Sequence, residues 1–389
     1  MPFYTASKIH DGNSWLPDHT VVQTDDTGKI IALHAGAVAE PVQEFAGVLC
    51  AGFVNTHCHL ELSHLKGLVR ERSGLIPFLQ AIPKHRNDFT DEQKRAARHE
   101  AFEQMRKNGT VAVGDIANTD DTKDLRALQA MHFHSFAEAI GFSEPHASAA
   151  LERSLQVLRS FKADSSGTKI LRQSVTPHAP YSVSRALFGL IHEYDKQALL
   201  SIHNQESVAE DEYYRMKQGA VNLLLHGFGI DDRYFEASGK SSLQTYLPWL
   251  HDTHPLILVH NTYTHNTDRA LALACVPQLY WCLCPNANLY IENKLPDVMA
   301  MVRAGLSICV GTDSLASNHE LSVLGELQTL HQHFPQLEWG TLLQWGTLNG
   351  AKALQMDAQI GSIAVGKKPG LLHIKDLSAP KPEIEIIYS

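Results

Sequence analysis

Between residues 50 and 355 the chain repeats one rhythm, a short apolar run followed by a longer stretch with helical spacing. The runs Val111-Ala112-Val113, Leu199-Leu200-Ser201-Ile202, Leu256-Ile257-Leu258-Val259, Leu279-Tyr280-Trp281-Cys282-Leu283 and Leu306-Ser307-Ile308-Cys309-Val310 lack the strict alternation of a half-solvated strand. Strands of this kind are buried on both faces, which requires a parallel sheet covered by helices. Some helix ends are legible. Thr90-Asp91-Glu92-Gln93 is a capping box and Asn108-Gly109 closes that helix, while Pro296 and Gly305 predict the start and end of another. About eight strand–helix units can be counted, the number that closes a (β/α)₈ barrel of ~250 residues or more. A doubly wound open sheet is the competing arrangement, but no Gly-x-Gly-x-x-Gly follows the first strand.

The two ends of the chain have another texture. Val21-Val22 and Lys29-Ile30-Ile31 flank the turn Asp25-Asp26-Thr27-Gly28. The tail offers Gly361-Ser362-Ile363-Ala364-Val365-Gly366, Leu371-Leu372-His373-Ile374 and Glu383-Ile384-Glu385-Ile386 as further strands. The expected fold class is therefore α/β: residues 51–357 form the barrel, and residues 1–50 with 358–389 form a small β-sandwich unit from both chain ends.

Composition removes several function classes. With 44% apolar residues the chain can bury a core, so disorder is not expected. No run of ~18 uncharged apolar residues predicts a membrane span. Met1-Pro2-Phe3-Tyr4-Thr5 has neither a basic nor an apolar leader segment. A net charge of −9 argues against a nucleic-acid partner. The six cysteines sit mostly inside apolar runs, as buried reduced thiols do, and a cytoplasmic location is expected. Histidine is the outlier: 23 of 389 residues. It is the commonest metal ligand and titrates near neutrality.

In a parallel barrel, chemistry collects where strands end. Three His-x-His pairs occur, and composition alone yields about one. His331/His333 lie in a helical pattern, where positions i and i+2 do not face each other, and His132/His134 fall at the start of a strand. Only His57/His59 follow an apolar approach, and strand periodicity places both on one face. Three more strand ends carry reactive groups: His203 with Glu206 three residues on, His260, and Asp313 in Gly311-Thr312-Asp313-Ser314. Each alone has an ordinary rival, a hydrogen-bonded core histidine or a helix-capping aspartate. Four in order are much harder to obtain by accident. His178, in Thr176-Pro177-His178-Ala179-Pro180-Tyr181, and the amides Asn286 and Asn288, in Cys284-Pro285-Asn286-Ala287-Asn288, would suit substrate recognition.

The ordered set H-C-H, T-P-H-A-P-Y, I-H-N-Q-E, L-V-H-N, C-P-N-A-N and G-T-D-S resembles the amidohydrolase superfamily over nearly the whole chain. The branch is that of guanine, cytosine, methylthioadenosine/S-adenosylhomocysteine and aminodeoxyfutalosine deaminases and the triazine chlorohydrolases. The resemblance implies one divalent metal, Zn²⁺ or Fe²⁺, held by His57, His59, His203 and Asp313. It also implies Glu206 as proton shuttle, His260 as the group that positions water, and His178 as a substrate contact. The implied reaction is hydrolytic loss of ammonia from a purine-type base or adenine nucleoside, with a small-molecule partner and a possible homodimer. The close rivals are guanine or pterin deamination, dechlorination, and a non-catalytic relative. Binuclear members place a carboxylated lysine where this chain has His178; Lys169 lies too early. The chain departs from the pattern at Pro369-Gly370, where Ala-Asp is usual, and at Asn286, where arginine is frequent.

Overall fold

The computed structural model describes residues 1–161, 167–250 and 254–388. Four strands open the chain: β1 (Phe3–His10), β2 (Thr20–Thr24), β3 (Ile30–Ala35) and β4 (Gln43–Ala51). Eight follow: β5 (Phe53–Cys58), β6 (Thr110–Ala117), β7 (His132–Ala139), β8 (Leu171–Pro177), β9 (Leu200–Asn204), β10 (Leu256–His260), β11 (Leu279–Leu283) and β12 (Ile308–Val310). Two close it, β13 (Leu371–Ile374) and β14 (Ile384–Tyr388). The tail strands pair with the opening ones in one six-stranded sheet ordered β14-β13-β4-β1-β2-β3, joined where Leu371 faces Ala51.

The middle of the chain is parallel, as the apolar runs predict. Strands β5 to β8 form one four-stranded sheet and β9 to β12 another, each in sequence order. Every residue of β5, β6, β7, β9 and β10 is buried. Helices cover the outside, and a single core cluster links them to the strands through Leu187, Phe188, Ile202, Leu258, Trp281 and Leu327. That two-sided burial is why the runs lack alternation.

Where the two sheets meet, side chains supplement the backbone ladder. Thr176 Oγ1 accepts from Ser201 N (2.7 Å) and donates to Ser201 O (2.6 Å), and His203 N donates to His178 O (3.0 Å), linking β8 to β9. On the other side Thr312 N and Asp313 N both donate to His57 O (3.0 and 3.1 Å), linking the end of β12 to β5.

The helix Asp91–Lys107 begins with the expected capping box: Thr90 Oγ1 accepts from Gln93 N, and Gln93 Oε1 accepts from Thr90 N. Two expectations are corrected. The helix expected from Pro296 starts at Val298 instead, because the Asp297 carboxylate caps it by accepting from Ala300 N. Residues 361–366 are not a strand. Gly361 and Gly366 adopt positive φ (83° and 90°) and bend the segment, leaving single bonds from Ile363 N to Asp11 O and from Gly366 N to Ile30 O. Among the described residues no helix is long and apolar enough to cross a membrane.

Candidate metal and active site

The carboxyl ends of β5, β9, β10 and β12 meet at one point. Side-chain ligand atoms of His57, His59, His203 and Asp313, all buried, lie within 4.8 Å of one another. His59 Nε2 stands 3.2 Å from His203 Nε2, and Asp313 Oδ1 is 3.5 Å from His59 Nε2 and 3.7 Å from His57 Nε2. That spacing suits an N–H···N hydrogen bond in the metal-free site and equally a cation shared by the two nitrogens. With metal–nitrogen distances of about 2.0–2.1 Å, the edge of a tetrahedral ligand shell is about 3.3–3.4 Å, close to these separations. Both nitrogens of His57 are buried without a hydrogen-bond partner, a costly condition that a cation at Nε2 would relieve. The donor set, three imidazoles and one carboxylate, fits a divalent ion.

Local structure fixes how each ligand presents itself. The His203 Nδ1–H donates to the His178 carbonyl (2.8 Å), which leaves the lone pair on Nε2. Ser317 Oγ donates to Asp313 Oδ2 (2.6 Å), leaving Oδ1 toward the histidines. Gly311 is required by close approach, since a Cβ there would lie 2.7 Å from His57 O and 2.8 Å from His57 Cβ. Burial holds His57, His59 and His203 below their ordinary range, His59 at about 3, so all three are neutral at pH 7, the form able to hold a metal ion. For Asp313 burial pushes the carboxyl up, but the contact with His57 and the neighbouring His59 and His260 rings outweigh it and hold the group below the usual carboxylate range.

The cluster opens into a cavity of about 340 Å³. Leu62, Leu75, Phe78, Leu79, Ile82 and Phe228 form its apolar wall, and His178, Glu206, His260 and Asp313 form its polar end. Glu206 Oε1 lies 3.8 Å from His260 Nε2. Burial raises the Glu206 carboxyl to about 7. His178, lowered to about 4 by burial, is engaged at Nδ1 by Ser182 Oγ (2.6 Å).

The two amides expected to touch substrate do not line this cavity. Asn286 is committed elsewhere: Thr329 Oγ1 donates to its Oδ1 (2.6 Å) and its N–H donates to Glu326 Oε2 (2.9 Å). Asn288 Oδ1 accepts from His260 Nδ1 (2.8 Å). Conversely, the cavity includes Glu61, Arg86, Asn118 and Glu138, to which sequence reasoning gave no role. Arg86 Nη2 donates to Glu61 Oε1 (2.8 Å), while Glu61 Oε2 accepts from Asn118 N, Thr119 N and Thr119 Oγ1. Glu138 forms a second group with His178 and His203 within 4.8 Å, and burial raises its carboxyl to about 8. A signal for Glu138 existed, since it stands next to last in the very strand that His132 begins. His331 and His333 lie on the helix Val323–His333, as expected, and Lys169 precedes β8.

The sequence pattern of the amidohydrolase family matches residues 48–387. The chain belongs to the amidohydrolase family. It is an enzyme of that metal-dependent family, a hydrolase acting on carbon–nitrogen bonds. An adenosine deaminase of Helicobacter pylori is 28% identical over 334 residues, 83% of this chain and 78% of the relative. A 5-methylthioadenosine/S-adenosylhomocysteine deaminase of Halalkalibacterium halodurans is 28% identical over 339 residues, 83% of this chain and 71% of that one. The crystal structure of Helicobacter pylori aminofutalosine deaminase in complex with methylthio-coformycin superposes with a TM-score of 0.79. It is 24% identical and covers 97% of this chain and 92% of its own, a likeness of fold.

Proposed function

We propose that the chain is a metal-dependent deaminase that removes an exocyclic amine from a purine-type base, favouring adenine-containing nucleosides, and releases ammonia. The observation that carries this reading is the convergence of three imidazoles and a carboxylate beside Glu206 and His260, in one cavity. In this reading His57, His59, His203 and Asp313 hold one divalent ion, Zn²⁺ by preference. When bound, that ion supplies Lewis-acid polarisation and acidifies water at the site.

The residues do the rest. Hydrolysis forms a bond from water oxygen to the amine-bearing carbon and breaks the carbon–nitrogen bond. Glu206, whose proton affinity lies near neutrality, takes a proton from water and delivers it to a ring nitrogen, which makes the carbon electrophilic. His260, 3.8 Å from Glu206, orients the water, and His178 contacts the substrate. Glu206 or Asp313 then assists protonation of the departing amine. The apolar wall of Leu62, Phe78, Leu79 and Ile82 takes a planar heterocycle and excludes bulk water.

Residues 51–357 make a (β/α)₈ barrel closed at the β8/β9 and β12/β5 seams. Residues 1–50 with 358–389 make the small β-sandwich unit, for which the β4–β13 pairing is the support. Incubating the metal-loaded protein with a panel of aminopurines and aminopurine nucleosides, with ammonia as readout, tests the function. Release from an adenine nucleoside is expected, and silence across the panel with one metal bound per chain would overturn it.

A further inference from the structure

His260 and Asn288 reach each other from different strand ends. His260 closes β10, and Asn288 lies one turn into the helix Pro285–Ile291 that follows β11. Both are buried, at 1% and 2% exposure. The Asn288 backbone is committed to its helix, with N–H donating to Cys284 O and the carbonyl accepting from Glu292 N. Its side-chain amide is anchored at both ends. Nδ2 donates to Thr262 Oγ1 (3.1 Å), and Oδ1 faces His260 Nδ1 at 2.8 Å. An amide oxygen can only accept, so the hydrogen of the imidazole belongs on Nδ1. The lone pair of the neutral ring then lies on Nε2, the nitrogen 3.8 Å from Glu206 Oε1.

We infer that Asn288 is a positioning residue that fixes His260 as its Nδ1–H tautomer and presents Nε2 to the cavity as a hydrogen-bond acceptor. Resting on the deaminase reading above, this gives the Glu206–His260 pair a definite division of labour. Water between them donates one hydrogen to Glu206 and the other to His260 Nε2. Its oxygen lone pairs are thereby turned away from both and toward the substrate carbon. The opposite tautomer would place an N–H donor at Nε2, and the water would turn a lone pair to the ring instead. The arrangement repeats the logic at His203, where a carbonyl at Nδ1 frees Nε2.

The test uses the full-length, zinc-loaded protein labelled with ¹⁵N-histidine, with the His260 signals assigned through His260→Gln. Wild type should show a protonated Nδ1 and a lone-pair Nε2 at rest, before any substrate is added. Asn288→Leu, similar in size but without an acceptor, should lose that fixed pattern. Its kcat should fall about 10–100-fold with KM and zinc content nearly unchanged, as loss of an orienting partner does. Thr262→Val, a milder change that keeps Asn288, should mix the two tautomers and lower kcat less. A protonated Nε2 in the wild type overturns the inference, as does an Asn288→Leu protein with unaltered tautomer and kcat. If the tautomer responds as stated but no aminopurine is deaminated by the wild type, the positioning role stands and the deaminase reading fails.

Discussion

Replacing Glu206 by Gln separates what the carboxylate does for turnover from what it costs the fold. The amide is nearly isosteric and leaves His57, His59, His203 and Asp313 in place, so bound metal should be unchanged. Losing general acid–base transfer should lower kcat about 10²–10⁴-fold, or about 3–5 kcal/mol of barrier. The cost to the fold follows from linkage. Burial raises the carboxyl from 4.5 to about 7 in the folded protein, so its contribution to stability is full below pH 4.5 and is lost as pH rises through 7. That shift corresponds to about 3 kcal/mol. In metal-free protein, Glu206→Gln should therefore be more stable than wild type at pH 8 by up to that amount, with the gap shrinking toward pH 5. Ammonia release, metal analysis and urea unfolding of the metal-free proteins at the two pH values measure all three quantities. Turnover within tenfold of wild type would refute the shuttle role. A stability gap independent of pH would refute the burial argument.

Chelation should abolish turnover and lower the unfolding midpoint, with both restored by Zn²⁺. Free metal a thousandfold above Kd contributes about 4 kcal/mol, and full activity in protein stripped of metal would contradict the ligand assignment. Gly311→Ala should drive a methyl group into His57 and weaken metal affinity about 10–100-fold in a competition titration, whereas Gly189→Ala, which meets open space, should not. An unchanged affinity in Gly311→Ala would mean the His57 segment yields freely. Acid should destabilise the fold well above carboxylate pKa values, because burial lowers His10 to about 4 and His132 and His134 to about 3. These histidines contribute fully above pH 6.5 and lose their contribution as pH falls toward 3–4. His134→Gln should remove about 2 kcal/mol of the loss seen between pH 6.5 and 5, measured by denaturant titration. An unaltered pH slope would show that His134 is not held neutral.

How far the molecule could be read in advance depended on whether a residue's role was local. The strands of the middle region and the four strand ends that carry His57 and His59, His203, His260 and Asp313 were legible, because two-sided burial writes continuous apolar runs and chemistry in parallel β/α folds collects after them. Asn286 and Asn288 were legible as strand-end amides but not in their partners. Nothing near position 288 announces that its side-chain Oδ1 meets a ring 28 residues earlier. Arg86 could not be placed at all, since its pairing with Glu61 bridges the end of the helix Leu75–His85 and the short helical turn Leu60–Leu65, which only the assembled cavity brings together. The glycine-bounded segment 361–366 misled for a physical reason. Glycines that flank a strand and glycines that bend a chain at positive φ look alike in sequence, and here both bend.

Backbone conformation explains why the site needs so much polar support around it. Gln205, His260, Asn261 and Asp313 all hold positive φ, at 48°, 69°, 60° and 56°, where a non-glycine residue costs ~1–3 kcal/mol. Glycine would relieve the strain, but at positions 260 and 313 it would delete the functional group itself. The strain must then be offset by bonds that only this conformation can make. At Asp313 and Thr312 two backbone N–H groups converge on His57 O. Gln205 is clamped by Glu210, which accepts from its N–H (3.1 Å), and by Asp268, which accepts from its Nε2 (3.1 Å). Asn261 donates from its backbone to Asn204 O and from Nδ2 to Leu258 O, while Asn204 is itself held by Tyr246 OH at 2.8 Å. These contacts join the ends of β9 and β10 into one unit. A shift in any one turn would break bonds in its neighbours, and the mutual geometry of Glu206 and His260 is thereby set by the network rather than by either residue alone.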